Sequence, residues 1–362
     1  MQRAGVKPDI LMLSTLISAF ANAGRVDLAL DVYYNDMPEH DLRPNVVTYN
    51  ALIRACGRDG HVHRAYGVFN DMLKGGVKPD IITFLALINA CAIVGEVESA
   101  FDVYRTMQRA GVLPDVMTYT ALITACGKAG EVGRAFGMYD EMLRAGLEPT
   151  NKTYSALMMA CAKAKGGAQW ERALALYTEE MPRAGIAPDT VTDHSLQEAL
   201  WAGRQYGKCA DRMEALIAAG DERAGRVTDN GPGGQEALSL DLHRVGKCAA
   251  CCRSLLWLDD LGYGGLAGAS VVAIVTGLGR TRRRSYQGRH QASVRVAVEG
   301  MLDALGSPFA RPSSNAGRLE AAPVAVAEWL ARVDVRSLLR DGAELPALEL
   351  KEVDQIGPNS KQ

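Results

Sequence analysis

VVTYNALIRACGRDGHVHRAYGVFNDMLKGGVKPD, residues 46–80, is followed at once by a near-copy of itself, and that copy by another. The prolines show the ladder: Pro8, Pro44, Pro79, Pro114, Pro149 and Pro188 stand in steps of 36, 35, 35, 35 and 39. Cys56, Cys91, Cys126 and Cys161 are each 35 apart, as are Thr48, Thr83, Thr118 and Thr153. Ala65, Ala100 and Ala135 keep the same step, and so do Met72, Met107 and Met142. A fixed period in this range is the signature of a repeat array.

Within the unit, Thr48 is the expected N-cap, and Tyr49, Leu52, Ile53 and Cys56 recur at helical spacing. Gly60 stops that first helix. A second runs from about Val62 with Ala65, Val68, Phe69 and Met72 on one face; Gly76 ends it and Pro79 blocks continuation. Neither helix can bury its apolar stripe alone, so the hairpins must stack into an α-solenoid. Full units fall at 10–45, 46–80, 81–115, 116–150 and 151–189, with a degenerate one at 190–224, giving an array over residues 1–220. The first unit has one extra residue near Tyr33-Tyr34; the fifth has four, assigned to Lys165–Gln169.

Bulk properties narrow the function. The 362 residues carry a net charge of −2. Residues 1–220 hold 22 basic and 25 acidic side chains, and the remainder 18 and 17, so bulk charge does not announce a basic nucleic-acid binder and any such binding must use a local surface. No apolar run reaches membrane-spanning length, and no membrane contact is expected. The four periodic cysteines read as small core residues in a reducing compartment. Cys248, Cys251 and Cys252 lack a second pair at zinc-site spacing and read as a helix face. The chain opens with QRAGVKPD, the closing segment of a repeat, which predicts further repeats and a transit peptide upstream of Met1.

The period breaks at residues 221–236, rich in Gly, Pro and charge, which reads as a linker. Beyond it, Ala237–His243 alternates like a strand, Lys247–Leu258 is helical, Val271–Thr276 is a buried-strand run and Gln291–Leu305 an amphipathic helix. Strands are expected near Pro308-Phe309 and Gly317–Ala321, then a helix with Trp329-Leu330. This order predicts a small α/β domain over 237–340, followed by a polar tail at 341–362.

The 35-residue period and the absence of a W-x2-L-G-x2-Y pattern separate the units from tetratricopeptide repeats, which have about 34 residues. The recurring V-x-T-Y-N-x-L-I, A-G-x-V-x-x-A and M-x-x-x-G-x-x-P-D instead resemble P-type pentatricopeptide repeats (PPR). The resemblance implies single-stranded RNA binding, one base per repeat, without a cofactor. It assigns base reading to the fifth and last residue of each unit: Ser14/Asn45, Asn50/Asp80, Leu85/Asp115, Thr120/Thr150 and Ser155/Asp189. Ser/Asn implies adenine, Asn/Asp uracil and Ser/Asp guanine. Leu85 has no hydrogen-bonding group, and Thr150 is an unusual closing residue. Leu11, Val47, Ile82 and Met117 are expected to flank bases, with Lys152 at the fifth such position.

In the C-terminal part, LDLH (240–243), TGLG (276–279), LGSPF (305–309), Asn315 with Gly317-Arg318, and Val326-x-x-Trp329-Leu330 resemble the small MutS-related (SMR) domain. The whole chain is thus similar to PPR-SMR proteins. That implies organelle RNA metabolism (processing, stability or translation), in the chloroplast before the mitochondrion, with other organelle RNA-processing proteins as partners. It leaves RNA endonuclease activity open, with Asp241 and His243, two apart on one strand face, as the catalytic candidates and a divalent cation (Mg or Mn) as the cofactor of cleavage. Thr276, Gly277 and Gly279 would bring backbone amides to a phosphate, assisted by Arg280, Arg282, Arg283, Arg284 and Arg289. Arg244 and Leu278 depart from the usual motif. The competing reading is a non-catalytic adaptor whose solenoid binds protein and whose SMR domain docks on nucleic acid.

Overall fold

The computed structural model describes residues 8–221, 224–228, 237–242, 245, 247–262, 266, 269, 271–276, 286–312 and 318–340, the side chains of 226, 228, 237, 262, 286–293, 336 and 340 excepted. The chain divides into two compact units, Met1–Pro188 and Asp189–Gln362. Among the described residues no helix is long and apolar enough to cross a membrane.

The first unit is a stack of helical hairpins: α1 (Ile10–Asn22) with α2 (Val26–Asp31) and α3 (Met37–Glu39), α4 (Val46–Arg58) with α5 (Val62–Lys74), α6 (Ile81–Val94) with α7 (Val97–Arg109), α8 (Val116–Lys128) with α9 (Val132–Arg144), and α10 (Asn151–Ala162) with α11 (Trp170–Ala175) and α12 (Met181–Arg183). The first helices α1, α4, α6, α8 and α10 pack on one another in sequence, and each of α5, α7 and α9 packs into the following hairpin. The periodic residues carry this packing: Cys56, Cys91, Cys126, Cys161, Met72, Met107 and Met142 are fully buried. Burial pushes the thiols of Cys56, Cys126 and Cys161 up to about 11, so they act as core atoms. An aromatic contact is repeated at each junction, edge-on at three and tilted at Tyr104–Tyr119. Tyr33–Tyr49 and Phe69–Phe84 have centroids 5.9 Å apart, Tyr104–Tyr119 and Tyr139–Tyr154 6.1 Å.

Two expectations change. The cap of α4 is Asn45, not Thr48: the helix starts at Val46, and the Asn45 side chain accepts from the Thr48 N–H at 3.0 Å. Thr48 is the third residue of the helix, the N3 position of a capping-box arrangement, and Asp80/Thr83 and Thr150/Thr153 close the full box. The extra residues are also placed differently. The fifth unit's four do not all fall at 165–169: Ala173 lies 38 residues after Ala135, but Met181 lies 39 after Met142, so one extra residue sits inside the second helix. It is absorbed by a π-turn, Leu176–Glu180, where the Met181 N–H reaches back to the Leu176 carbonyl. The first unit does the same at Val32–Asp36, with Met37 bonded to Val32. A π-turn takes in one residue without breaking the helix, and both precede a proline, Pro38 and Pro182, that supplies no N–H.

The second unit holds α13 (Thr190–Ala202), α14 (Tyr206–Ala218), β1 (Arg226–Thr228), β2 (Ala237–Asp241), α15 (Lys247–Gly262), β3 (Val271–Val275), α16 (Tyr286–Ala304), β4 (Arg318–Ala321), α17 (Pro323–Leu330) and α18 (Val335–Arg340). The α13–α14 hairpin, which periodicity assigns to the array, packs on α15. The sheet order is β1-β2-β3-β4, with β2 and β3 parallel and the outer strands antiparallel. β1 lies within the stretch read as linker: Arg226, Val227 and Thr228 pair with Asp241, Leu240 and Ser239. Three residues are too short for a periodic signal, which is why the strand escapes a sequence reading. Near Pro308-Phe309 there is an isolated bridge, Ala310 to Glu320, rather than a strand. The Trp329 indole N–H donates to the Leu305 carbonyl at 3.0 Å, which joins the LGSPF and V-x-x-WL segments. Cys248, Cys251 and Cys252 are buried on α15, and burial pushes Cys251 up to about 12. Among the described residues no group of three His, Cys, Asp or Glu side chains could hold a metal ion.

Candidate nucleic-acid interface

The first helices set the candidate interface. Each begins with a cap residue that is the last residue of the preceding unit, because Asn or Asp there meets the orphan N–H groups of the first turn. Asn45, Asp80 and Asp115 accept the backbone N–H of Thr48, Thr83 and Thr118 at 3.0, 2.8 and 2.8 Å. Asp189 caps α13 through Val191 and Thr192 at 3.0 and 2.9 Å. The caps therefore fix the closing residue of a unit beside the start of the next helix, where the fifth residue of the same unit reaches it directly at Asn50–Asp80.

In the second unit of the array the pair closes on itself. The Asn50 Nδ2 donates to Asp80 Oδ1 at 3.1 Å, and the Thr83 hydroxyl lies 2.6 Å from Asn50 Oδ1 and 2.8 Å from Asp80 Oδ1. Burial opposes charge on Asp80, but the bonds from Thr83 and Asn50 outweigh it and hold the carboxyl below its usual value. The first unit has the Ser14 hydroxyl 2.8 Å from that of Thr48. The fourth has Thr120 3.0 Å from Thr153, which also contacts Thr150 at 3.2 Å. In the third, Asp115 keeps its bond from the Thr118 hydroxyl at 2.8 Å, but Leu85 has no group to join it. The Ser155 hydroxyl is buried without a hydrogen-bond partner among the described residues.

A row of apolar side chains accompanies these pairs. Leu11, Val47, Ile82 and Met117, each second in its helix, are 73, 63, 57 and 45 % exposed, against the almost complete burial of the periodic core. Lys152 is exposed at the same position of α10. Exposed apolar side chains at a regular step beside polar pairs form a surface suited to a flat, edge-polar ligand. The residues that sequence reasoning missed are Thr48, Thr83 and Thr153, whose period was visible but whose contact to the preceding unit's fifth residue was not.

Family models match this part of the chain: the PPR repeat family at residues 44–93, 86–128 and 114–163, and the pentatricopeptide repeat domain at residues 1–59. These units are pentatricopeptide repeats. A PPR-containing protein of Arabidopsis thaliana is 38% identical over 58 residues, 16% of this chain and 18% of that protein. Among solved structures, PPR10, a maize PPR protein, in complex with an 18-nt psaJ RNA element is 19% identical with a TM-score of 0.50, covering 92% of this chain and 48% of that one. The likeness shows a shared helical-repeat fold. The PPR domain of Arabidopsis protein-only RNase P 1, solved with tRNA, is 18% identical with a TM-score of 0.43 over 52% of this chain and 97% of that one. The chain thus spans less than half of the maize protein and a small part of the Arabidopsis PPR-containing protein.

In the C-terminal unit, Asp241 ends β2 and pairs in register with Val275, the last residue of β3, and the Leu242 N–H donates to the Val275 carbonyl at 2.9 Å. Asp241 and the buried Thr276 therefore stand at the same, carboxyl-terminal, edge of two parallel strands. His243, Gly277, Gly279, Arg280, Arg282, Arg283, Arg284 and the side chain of Arg289 lie outside the described residues.

Proposed function

We propose that the PPR array binds single-stranded RNA and reads its bases through the fifth and closing residues of successive repeats. The observation that carries this reading is the Asn50–Asp80–Thr83 cluster next to the exposed Val47 and Ile82: polar groups for a base edge, apolar groups for its faces. Ser14/Asn45 then selects adenine, Asn50/Asp80 uracil and Ser155/Asp189 guanine, while the Leu85/Asp115 repeat is weakly selective. The test is a gel shift with single-stranded RNA against DNA and duplex RNA of one sequence. Preference for single-stranded RNA at moderate salt is expected. Equal binding to all three, with protein partners that survive RNase digestion in a pull-down, selects the adaptor reading instead.

For the C-terminal unit the reading is an SMR-like module that grips or cuts the bound RNA in organelle RNA processing, in the chloroplast. Its support is the shared strand edge of Asp241 and Thr276, since ligands of open α/β sheets bind outside the carboxyl ends of parallel strands. Asp241 would act as a general base toward a 2′-hydroxyl or a water, with Gly277, Gly279, Arg280, Arg282, Arg283, Arg284 and Arg289 assigned to the phosphate. The described residues offer no carboxylate cluster for a metal, so no step is routed through one. Labelled RNA incubated with wild type and Asp241→Ala, with and without Mg2+ or Mn2+, tests it. Product from wild type alone is expected; equal product from both removes Asp241 from the mechanism.

A further inference from the structure

The threonine ladder does more than cap helices. At three junctions the third residue of one repeat's first helix touches the fifth residue of the repeat before it: Thr48 with Ser14, Thr83 with Asn50 and Thr153 with Thr120, at 2.8, 2.6 and 3.0 Å. We propose that this threonine is a positioning residue for the neighbouring repeat's base reader, so that the letter read by Asn50 depends on Thr83 of the next repeat. The inference rests on the RNA reading above.

The chemistry is clearest at Asn50. An amide side chain has a donor end and an acceptor end, and rotation by half a turn exchanges them. A freely turning amide can therefore meet uracil, which offers a donor beside acceptors, or cytosine, which offers the reverse order. Thr83 and Asp80 remove that freedom. The Thr83 hydroxyl sits against Asn50 Oδ1, and Asp80 accepts from Asn50 Nδ2 at 3.1 Å. A flipped amide would place Nδ2 against the hydroxyl and Oδ1 against a carboxylate oxygen, which repel. The Thr83 hydroxyl has a single hydrogen, and with that given to Asn50 Oδ1 the Asp80 carboxylate is held by the Thr83 backbone N–H at 2.8 Å and by Asn50 Nδ2. One amide hydrogen and one acceptor lone pair of Asn50 remain for a base, in a fixed order.

The third repeat is the internal contrast. Thr118 and Asp115 stand in the same arrangement, with the hydroxyl 2.8 Å from Asp115 Oδ1, but Leu85 gives them nothing to orient. The positioning device is thus present where the reader is missing. It is a framework feature that acts on whatever polar side chain stands fifth in the preceding repeat.

The test uses the full chain and a pool of single-stranded RNA 20-mers of random sequence, with bound RNA sequenced to give base enrichment at each position. Wild type is expected to enrich uracil over cytosine at the Asn50 position. Thr83→Val should lower that ratio about fivefold, the order expected for one lost orienting hydrogen bond, with the other enriched positions kept. Thr83→Ser, which restores the hydroxyl, should restore the ratio. Thr118→Val removes an equivalent cap contact in the next repeat, away from Asn50, and should leave the ratio at the Asn50 position unchanged. Leu85→Asn should add a new uracil position, and the double variant Leu85→Asn/Thr118→Val should read uracil and cytosine alike there. An unaltered ratio in Thr83→Val, or equal losses in Thr83→Val and Thr118→Val, overturns the proposal, as does a double variant that still prefers uracil. Wild type that enriches no sequence overturns the RNA reading itself, a different outcome from selective wild type with an unresponsive Thr83→Val.

Discussion

Repeats 46–80 and 81–115 have one backbone and two chemistries. Cys56 and Cys91, Met72 and Met107, Ala65 and Ala100, and Thr48 and Thr83 occupy matching positions and are all fully buried. Asn50 and Leu85 also match, yet one joins a hydrogen-bonded cluster and the other cannot. The difference teaches that folding and reading are written in separate residues. The periodic set is buried and interchangeable between repeats; the fifth residue differs from one to the next, half-buried at Asn50 and Leu85 and buried at Ser14, Thr120 and Ser155. The sets meet at the closing residues Asp80 and Asp115, each both cap and reader, and at Thr83, which touches Asn50.

The sharpest way to break this separation is to cut the core equally in both repeats. Met72→Ala and Met107→Ala should each cost about 2–5 kcal/mol, by lost burial and a remaining cavity, and the two costs should agree within about 1 kcal/mol. Urea unfolding of both variants checks this. Widely different costs would mean that the matching positions are not equivalent and that the repeats differ in fold as well as in code.

A position where the rule should fail comes next. Gly95 and Gly130 are matching turn glycines with φ of +78° and +68°. A Cβ on Gly95 would meet only the Lys128 Cβ at 3.8 Å, but one on Gly130 would lie 2.0 Å from the Lys163 carbonyl oxygen. The enlarged loop of the fifth repeat causes this, since the Lys165 N–H also reaches back to the Gly130 carbonyl. Gly95→Ala should cost about 1–2 kcal/mol from left-handed backbone alone. Gly130→Ala should cost about 3 kcal/mol, with overpacking added. Equal midpoints for the two variants would show that the loop yields freely.

The shared residues give a smaller effect with a pH signature. Asp80→Ala removes a cap worth about 1 kcal/mol. The folded carboxyl lies below its unfolded value, so the folded state gives up this proton more readily. The stabilisation by the charged group is therefore complete above the unfolded aspartate value of about 3.9 and disappears as pH falls through the lower folded one. The gap in stability between wild type and Asp80→Asn should be constant near neutrality and close below about pH 4. A gap that does not change with pH would place the contribution in Asp80's shape rather than its charge.

Much of this was legible before any coordinates. The prolines, cysteines and methionines announce stacked hairpins because a repeated core position must present a repeated residue size. The closing Asp or Asn, followed three residues on by Thr, is also a capping-box signal; reading Thr48 as the cap misplaced the start of α4 by three residues. The π-turns were readable too: Ala and Met of the second helix stand seven apart in the middle repeats and eight apart at Ala29–Met37 and Ala173–Met181. Other features were not legible. The contact between Thr83 and Asn50 spans 33 residues and depends on how neighbouring helices pack. In the C-terminal unit each motif occurs once, with no copy to calibrate it. There only the parallel register of β2 and β3 reveals that Asp241 and Thr276 share an edge.

The smallest expected effect lies on the second helices, where charge rather than packing links the repeats. Arg64 pairs with Asp27 at 2.8 Å and Arg134 with Glu98 at 2.6 Å, each joining neighbouring repeats. The Arg64 and Asp27 side chains are 50 and 90 % exposed, so water already solvates both charges and salt screens them. Arg134 is better held: it also pairs with Glu131 at 3.1 Å and stacks over the Phe101 ring at 4.0 Å. Arg64→Ala should therefore shift stability by less than about 0.5 kcal/mol, and the shift should vanish at 1 M salt. Arg134→Ala should cost more and keep part of its cost in salt, because a ring contact with an apolar stem is not screened. A salt-resistant loss at Arg64 would put a packing role on a surface position, and the division between buried residues that fold the array and exposed ones that do not would then have to be redrawn.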